Sequence, residues 1–179
     1  MNTNPPIYIW DRIVRLCHWG VVVCFVVNYF IVEPGRLIHE IAGYSAVALL
    51  TLRIVWGITR PASSFASLKH IDLSCNAFKT HLRHIKHRST PIHSGHNPLG
   101  WLMVMLVVVL IVILGVTGFM MEEIDAFFGN STLDQIHSIT ADILYGAVCV
   151  HVLAVFIVQW RGNISLIKPM ISGKRSPPR

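Results

Sequence analysis

Four apolar stretches, each about as long as the roughly 20 residues a helix needs to cross a bilayer, constrain this chain more than any other feature. They cover residues 13–32, 39–58, 99–121 and 136–160. Hydrocarbon offers no hydrogen-bond partner, so such a segment crosses as a helix that pairs its own backbone. The chain is 53% apolar and only 13% charged, too apolar for an ordinary soluble domain. The expected fold is therefore an all-α membrane protein. We read residues 1–171 as one four-transmembrane-helix bundle, with a connecting loop at 59–98 and a disordered basic tail at 172–179.

Charge sets the expected orientation. Arg12 and Arg15 stand at the start of the first span, Arg60, Lys69, Lys79, Arg83, Lys86 and Arg88 lie between the second and third, and Arg161, Lys168, Lys174, Arg175 and Arg179 follow the fourth. With four spans these regions fall on one side. The other side holds Arg36 and the acids Glu122, Glu123, Asp125 and Asp134. Short basic loops stay in the cytoplasm, so both termini are expected there, in a multi-pass protein of a bacterial inner membrane. The net charge of +6 then reflects topology and contact with anionic membrane lipid rather than nucleic acid. The first span resembles a secretory signal only in its basic start. Asn28-Tyr29-Phe30 and Glu33-Pro34-Gly35 follow it in place of a small-residue cleavage site, so it is expected to be retained.

Only the third span lacks charge and histidine; His18, His39, His137 and His151 lie within the other three. Ionisable side chains are costly in hydrocarbon and mark functional sites, and neutral imidazole is an axial ligand of haem iron. His137 and His151 are 14 residues apart, which at about 100° per residue returns to within about 40° of the same face over a rise of about 21 Å. One helix thus offers two imidazoles to two stacked haems. Matching depths pair His39 with His137 at an outer haem and His18 with His151 at an inner one. Arg53 follows His39 by the same 14 residues and is suited to an inner-haem propionate, since a guanidinium binds carboxylates through paired bonds. Its alternative is to snorkel to the cytoplasmic interface. Gly20, Gly43 and Gly115 would leave room for a macrocycle.

The four cysteines, Cys17, Cys24, Cys75 and Cys149, form no CxxC, and Val14 stands where a CxxCH motif ending at His18 needs its first cysteine. Two non-covalent haems b with bis-histidine ligation are expected, without a thioether link or a disulfide. Within the loop, residues 72–88 read as a short basic surface helix, with Leu73, Ala77, Leu82 and Ile85 interleaved among cations and histidines. His81, His84 and His87, with His70, His93 and His96 nearby, read as a solvated face rather than a metal site, because no acid or cysteine completes a ligand set. Asp142 points away from both histidines of its helix and is expected to hydrogen-bond near the outer interface. Glu40 either accepts a bond near the outer haem or faces headgroup water.

These residues resemble a known family, the bacterial b561-type cytochromes, grouped with the cytochrome b subunits of nickel-iron hydrogenases. The resemblance runs through Trp10-Asp11-Arg12-Ile13-Val14-Arg15-Leu16-Cys17-His18-Trp19, His39-Glu40-Ile41-Ala42-Gly43-Tyr44 and Leu52-Arg53-Ile54-Val55-Trp56-Gly57. It continues through Gly95-His96-Asn97-Pro98-Leu99-Gly100, the helix of His137 and His151, and Ile171-Ser172-Gly173-Lys174-Arg175. It implies a four-helix diheme cytochrome b ligated at His18, His39, His137 and His151. Two positions depart from the pattern: Ser138 follows His137 where relatives often carry glutamate, and Asp142 stands where a neutral amide is common. Either changes potential or proton handling at the outer face.

The expected function is electron transfer across the membrane, between quinone or quinol and a redox partner in a respiratory chain. The partner is a periplasmic c-type cytochrome or an oxidoreductase subunit. An alternative is a superoxide:quinone oxidoreductase acting alone, so enzymatic activity is left open. A histidine-dependent metal or proton transporter is the remoter reading, because the spans lack the paired acids and broken helices of such proteins.

Overall fold

Helix ends in this chain are set by short polar side chains that cap otherwise unpaired backbone N–H groups. In a computed structural model describing residues 7–87, 97–162 and 164–175, Asp11 accepts from the Val14 N–H at 2.9 Å and opens α1 (Arg12–Val26). A π-helical turn, Val27–Ile31, closes that helix. α2 (Leu37–Thr59) follows a turn at Gly35. Ser74 caps α3 (Cys75–Lys86) by accepting from Ala77. Asn97 accepts from Gly100 at the head of α4 (Pro98–Glu123), whose first residue is a proline that has no N–H to satisfy. Asn130 accepts from Thr132 and Leu133 and opens α5 (Ser131–Gly162). A short α6 (Ile167–Ser172) ends at Gly173, in the left-handed region at φ 81°.

Four of these segments are long and apolar enough to cross a membrane: Arg12–Ile31, Leu37–Thr59, Pro98–Glu123 and Ser131–Gly162. The expected spans are all present. The fourth starts at Ser131, earlier than the apolar pattern indicates, because hydropathy marks where the chain enters hydrocarbon whereas Asn130 marks where hydrogen bonding begins. The basic helix expected over 72–88 is likewise trimmed at its head by the Ser74 cap.

The chain divides into two compact units, one made of Met1–Leu16, Arg53–Met103 and Val150–Arg179, the other of Cys17–Leu52 and Val104–Cys149. The first is built around Ile9, Trp10, Val14 and Ala66, with Ile7, Trp56, Phe65 and Met170 packed against them. Asp11 ties this core together, because its second carboxylate oxygen accepts from the Trp56 indole N–H at 2.9 Å. The Arg60 guanidinium lies 3.6 Å over the same indole ring, within cation–π range.

The tail corrects one expectation. Residues from Ser172 were expected to be disordered, yet Lys174–Arg175 (β2) pairs antiparallel with Ile7–Tyr8 (β1), Ile7 opposite Arg175. Arg175 is only 2% exposed and donates to the Ser165 carbonyl at 3.1 Å. Arg15 donates to the Ile171 carbonyl. Composition reads this stretch as soluble and flexible, but a backbone ladder and a carbonyl acceptor hold it. Residues 176–179 lie outside the described residues, as do Arg88, Pro91, His93, Gly95 and His96.

The glycines in the second unit serve helix contact. A Cβ on Gly20 would stand 2.6 Å from Leu49, and one on Gly115 would stand 2.8 Å from Val47. Gly43 faces the Asn28 amide at 3.7 Å. The room expected for a macrocycle at Gly20 and Gly115 is taken by side chains of neighbouring helices, the usual use of small residues in membrane helices, whereas a Cβ at Gly43 would meet Asn28 only in ordinary contact.

Removing the carboxylate of Asp11 deletes both a cap and a buried indole acceptor. Asp11→Ala should therefore lower stability by about 1–3 kcal/mol, read as a lower melting temperature of the detergent-solubilised protein. Asp11→Asn keeps an oxygen acceptor and should lose less. Gly173→Ala should also destabilise, since its Cβ would be strained at positive φ and 2.9 Å from the Trp10 carbonyl oxygen.

Candidate functional site

The second unit brings two of the predicted histidines together. His39, in the first turn of α2, and His137, in the second turn of α5, have ring centres 6.2 Å apart, with planes inclined by 53°. A metal bound by imidazole lies about 2 Å from the nitrogen, and the ring centre lies about 1 Å behind it, so two imidazoles on opposite sides of one ion stand about 6 Å apart. The observed spacing matches that requirement.

The surroundings of each ring are unequal. Thr117, on α4 and 6% exposed, lies with Oγ1 2.8 Å from His137 Nδ1. The same hydroxyl donates to the Ile113 carbonyl at 2.8 Å and shares the proton with Leu114 at 3.2 Å. Gly118 leaves the His137 ring in ordinary contact, 3.5 Å from where a Cβ would be. His39 Nδ1 is buried with no hydrogen-bond partner among the described residues. A buried ring nitrogen left in that state is costly. Among the described residues no set of three or more His, Cys, Asp or Glu side chains is placed to hold a metal. A facing pair therefore suits an iron that brings its other ligands in a macrocycle.

Thr117 is the residue that sequence reasoning overlooked. It is the single hydroxyl side chain in α4, within the charge-free stretch 99–121, and that isolation was the available signal. Asp142 faces elsewhere, accepting from the Tyr29 hydroxyl at 3.0 Å. Tyr29 stacks on Tyr145 at 4.7 Å and 4°. The π-helical turn carries Tyr29 and Asn28 in succession. Tyr44 donates to Glu123 at 3.3 Å, while Glu122, Asp125 and Asp134 are exposed.

His18 is half-buried on α1, its ring edge-on to Trp19 at 5.4 Å. His151 is half-buried on α5. The two belong to different compact units. Arg53 is half-buried and lies along α2 toward its C-terminal end, with Nη1 2.7 Å from where a Cβ of Gly57 would stand. Leu68 closes over the same glycine at 2.6 Å. The absence of a side chain at Gly57 thus opens the groove in which the guanidinium rests.

In α3 the expected solvated face is real but excludes one histidine. Lys79, Leu82, Arg83, Lys86 and His87 are exposed, whereas His81 is 6% exposed and His84 half-buried. His81 Nε2 has no hydrogen-bond partner among the described residues. Burial pushes its pKa below the ordinary histidine value, and the charge of His84 adds to the shift.

Four candidate membrane spans and a half-buried, facing histidine pair are the marks of the site. Residues 9–173 match the family model of prokaryotic cytochrome b561, and the chain belongs to that family. No curated protein matches it. Membership implies b-type haem and transmembrane electron transfer.

His81 makes α3 sensitive to acid. Its folded pKa is depressed, so the stability it contributes is present in full above the unfolded value of about 6.5 and is lost progressively as pH falls from there through the lower folded value. Hydrogen exchange at α3 amides, corrected for intrinsic rates, should show less protection at pH 5.5 than at pH 7.5. His81→Phe should remove that difference.

Proposed function

We propose that this protein carries electrons across a bacterial cytoplasmic membrane through two non-covalent b haems, one near each surface. His39 and His137 are the axial ligands of the outer haem, and His18 and His151 those of the inner one. Each bound haem supplies a one-electron couple, and the protein adjusts it through ligation, burial and nearby charge. The observation that carries this reading is the 6.2 Å separation of the half-buried His39 and His137 rings in the second unit. The inner pair rests on helical register: α5 is continuous from Ser131 to Gly162, so His151 repeats the direction of His137 after 14 residues.

The roles of the remaining groups follow from their chemistry. Arg53, half-buried beside Gly57, offers a guanidinium to an inner-haem propionate. The lysines and arginines of the loops support a cytoplasmic side for both termini, and on that orientation His39 and His137 lie toward the periplasm. There the exposed Glu122, Glu123, Asp125 and Asp134 suit the basic surface of a c-type cytochrome or of an oxidoreductase subunit. They disfavour an anionic substrate such as superoxide. Quinone or quinol is the partner within the membrane.

A dithionite-reduced minus oxidised spectrum of the purified protein, with pyridine haemochrome quantification, should give two b haems per chain. His39→Ala and His137→Ala should each remove one haem, and His18→Ala and His151→Ala the other. Retention of two spectrally normal haems in these variants would overturn the pairing. Arg53→Leu should change the potential or occupancy of the inner haem alone, and an unaltered redox titration would remove its propionate role.

A further inference from the structure

Thr117 holds the one hydroxyl side chain of α4, within its charge-free stretch 99–121, and it is buried against the ring of His137. A threonine inside a helix ordinarily returns its proton to the carbonyl three or four residues back. Thr117 does so, donating to Ile113 at 2.8 Å and sharing the proton with Leu114. That bond commits its only proton. The oxygen therefore faces His137 Nδ1, 2.8 Å away, with lone pairs alone. Only a protonated Nδ1 satisfies such a contact, so the His137 imidazole is the Nδ1–H tautomer. Its Nε2 then carries the exposed lone pair that a metal requires.

We infer that Thr117 is a positioning residue that selects the ligating tautomer of His137, fixes its ring plane and sets the potential of the haem it binds. The inference rests on the reading of His137 as an axial ligand. The physical chain is short. Ile113 accepts the threonine proton, which sharpens the acceptor strength of the hydroxyl oxygen, because linked hydrogen bonds polarise one another. The Nδ1–H then gives electron density to the ring, and a more basic ligand stabilises the oxidised iron over the reduced. Partners of this kind orient metal-bound histidines and raise their basicity. Thr117 thereby holds the outer potential lower than an unsupported imidazole would.

His39 supplies the internal contrast. Its Nδ1 is buried with no hydrogen-bond partner among the described residues, so the two rings of one pair are held differently. His137 is the anchored ligand, and the plane of His39 is set by packing alone. Removing Thr117 should therefore loosen the one ring whose orientation the chain specifies through a hydrogen bond.

The test is a redox titration and low-temperature electron paramagnetic resonance spectroscopy of the haem-loaded protein carrying Thr117→Val or Thr117→Ser, with His137→Ala as the control. Thr117→Val preserves shape and removes the hydroxyl. It should keep both haems but raise one midpoint, changing the reduction equilibrium by a few-fold to about tenfold, the upper end being about 59 mV for one electron. The low-spin signal of that haem should shift as its imidazole plane is released, while the other haem stays unchanged. Thr117→Ser keeps the hydroxyl and should restore both values. Unchanged midpoints and resonances in Thr117→Val, with one haem lost in His137→Ala, would overturn the role of Thr117 and leave the ligand assignment standing. Two haems retained in His137→Ala would overturn the ligand assignment itself. If Thr117→Val fails to accumulate, Thr117→Ala, which also lacks an acceptor, and Thr117→Ser carry the same comparison, and equal midpoints in both would overturn the inference.

Discussion

A segment crossing hydrocarbon must satisfy its polar groups from within the chain, because lipid tails neither donate nor accept hydrogen bonds. This constraint accounts for most of what is polar in the four long helices. Thr51, Thr117 and Thr140 return their hydroxyl protons to carbonyls of the preceding turn, at Val47, Ile113 and Ile136. The Tyr29 hydroxyl finds Asp142, and the Tyr44 hydroxyl finds Glu123. The caps at Asp11, Asn97 and Asn130 answer the same demand at helix ends. Against this background Asn28 Oδ1 and His39 Nδ1 are exceptions in the second unit, buried with no hydrogen-bond partner among the described residues.

The histidine pair shows how one side chain can serve both the fold and the chemistry. The bond between His137 and Thr117 joins α5 to α4 in the interior of the second unit. It also determines which nitrogen of the ring remains available. Close helix contacts at Gly20 and Gly115, where Leu49 and Val47 fill the space of an absent side chain, keep the helices of that unit near enough for such a bond. Small residues and a single hydroxyl thus support the ring that faces His39, and a family whose activity is electron transfer needs that geometry held still between redox states.

How much of this was legible depended on the kind of signal. Runs of about 20 apolar residues and buried histidines are one-dimensional marks, and the four spans and the pairing of His39 with His137 could be read from them. Thr117 was not read, since a lone threonine in an apolar helix is usually bonded to its own backbone, and its isolation does not say which second partner it meets. His81 was read as solvated because its neighbours Lys79, Arg83 and Lys86 are. Its position on α3 instead turns it inward with Ala77 and Phe78, while those cations face out. The tail at Lys174–Arg175 was read as disorder from composition, although a two-residue ladder with Ile7–Tyr8 and a carbonyl for Arg175 hold it.

The sequence by itself determined the fold class, the spans and the family. Hydropathy and spacing are properties of the linear chain, and the cost of polar groups in lipid translates them directly into helices. Tertiary structure alone decided that Thr117 meets His137, that Arg53 rests over Gly57 beneath Leu68, that Asp11 joins α1 to Trp56, and that the last described residues close against the first. Each of these is a contact between segments far apart in the chain. Such contacts depend on which faces the helices turn toward one another, and the packing of whole side chains settles that where periodicity does not.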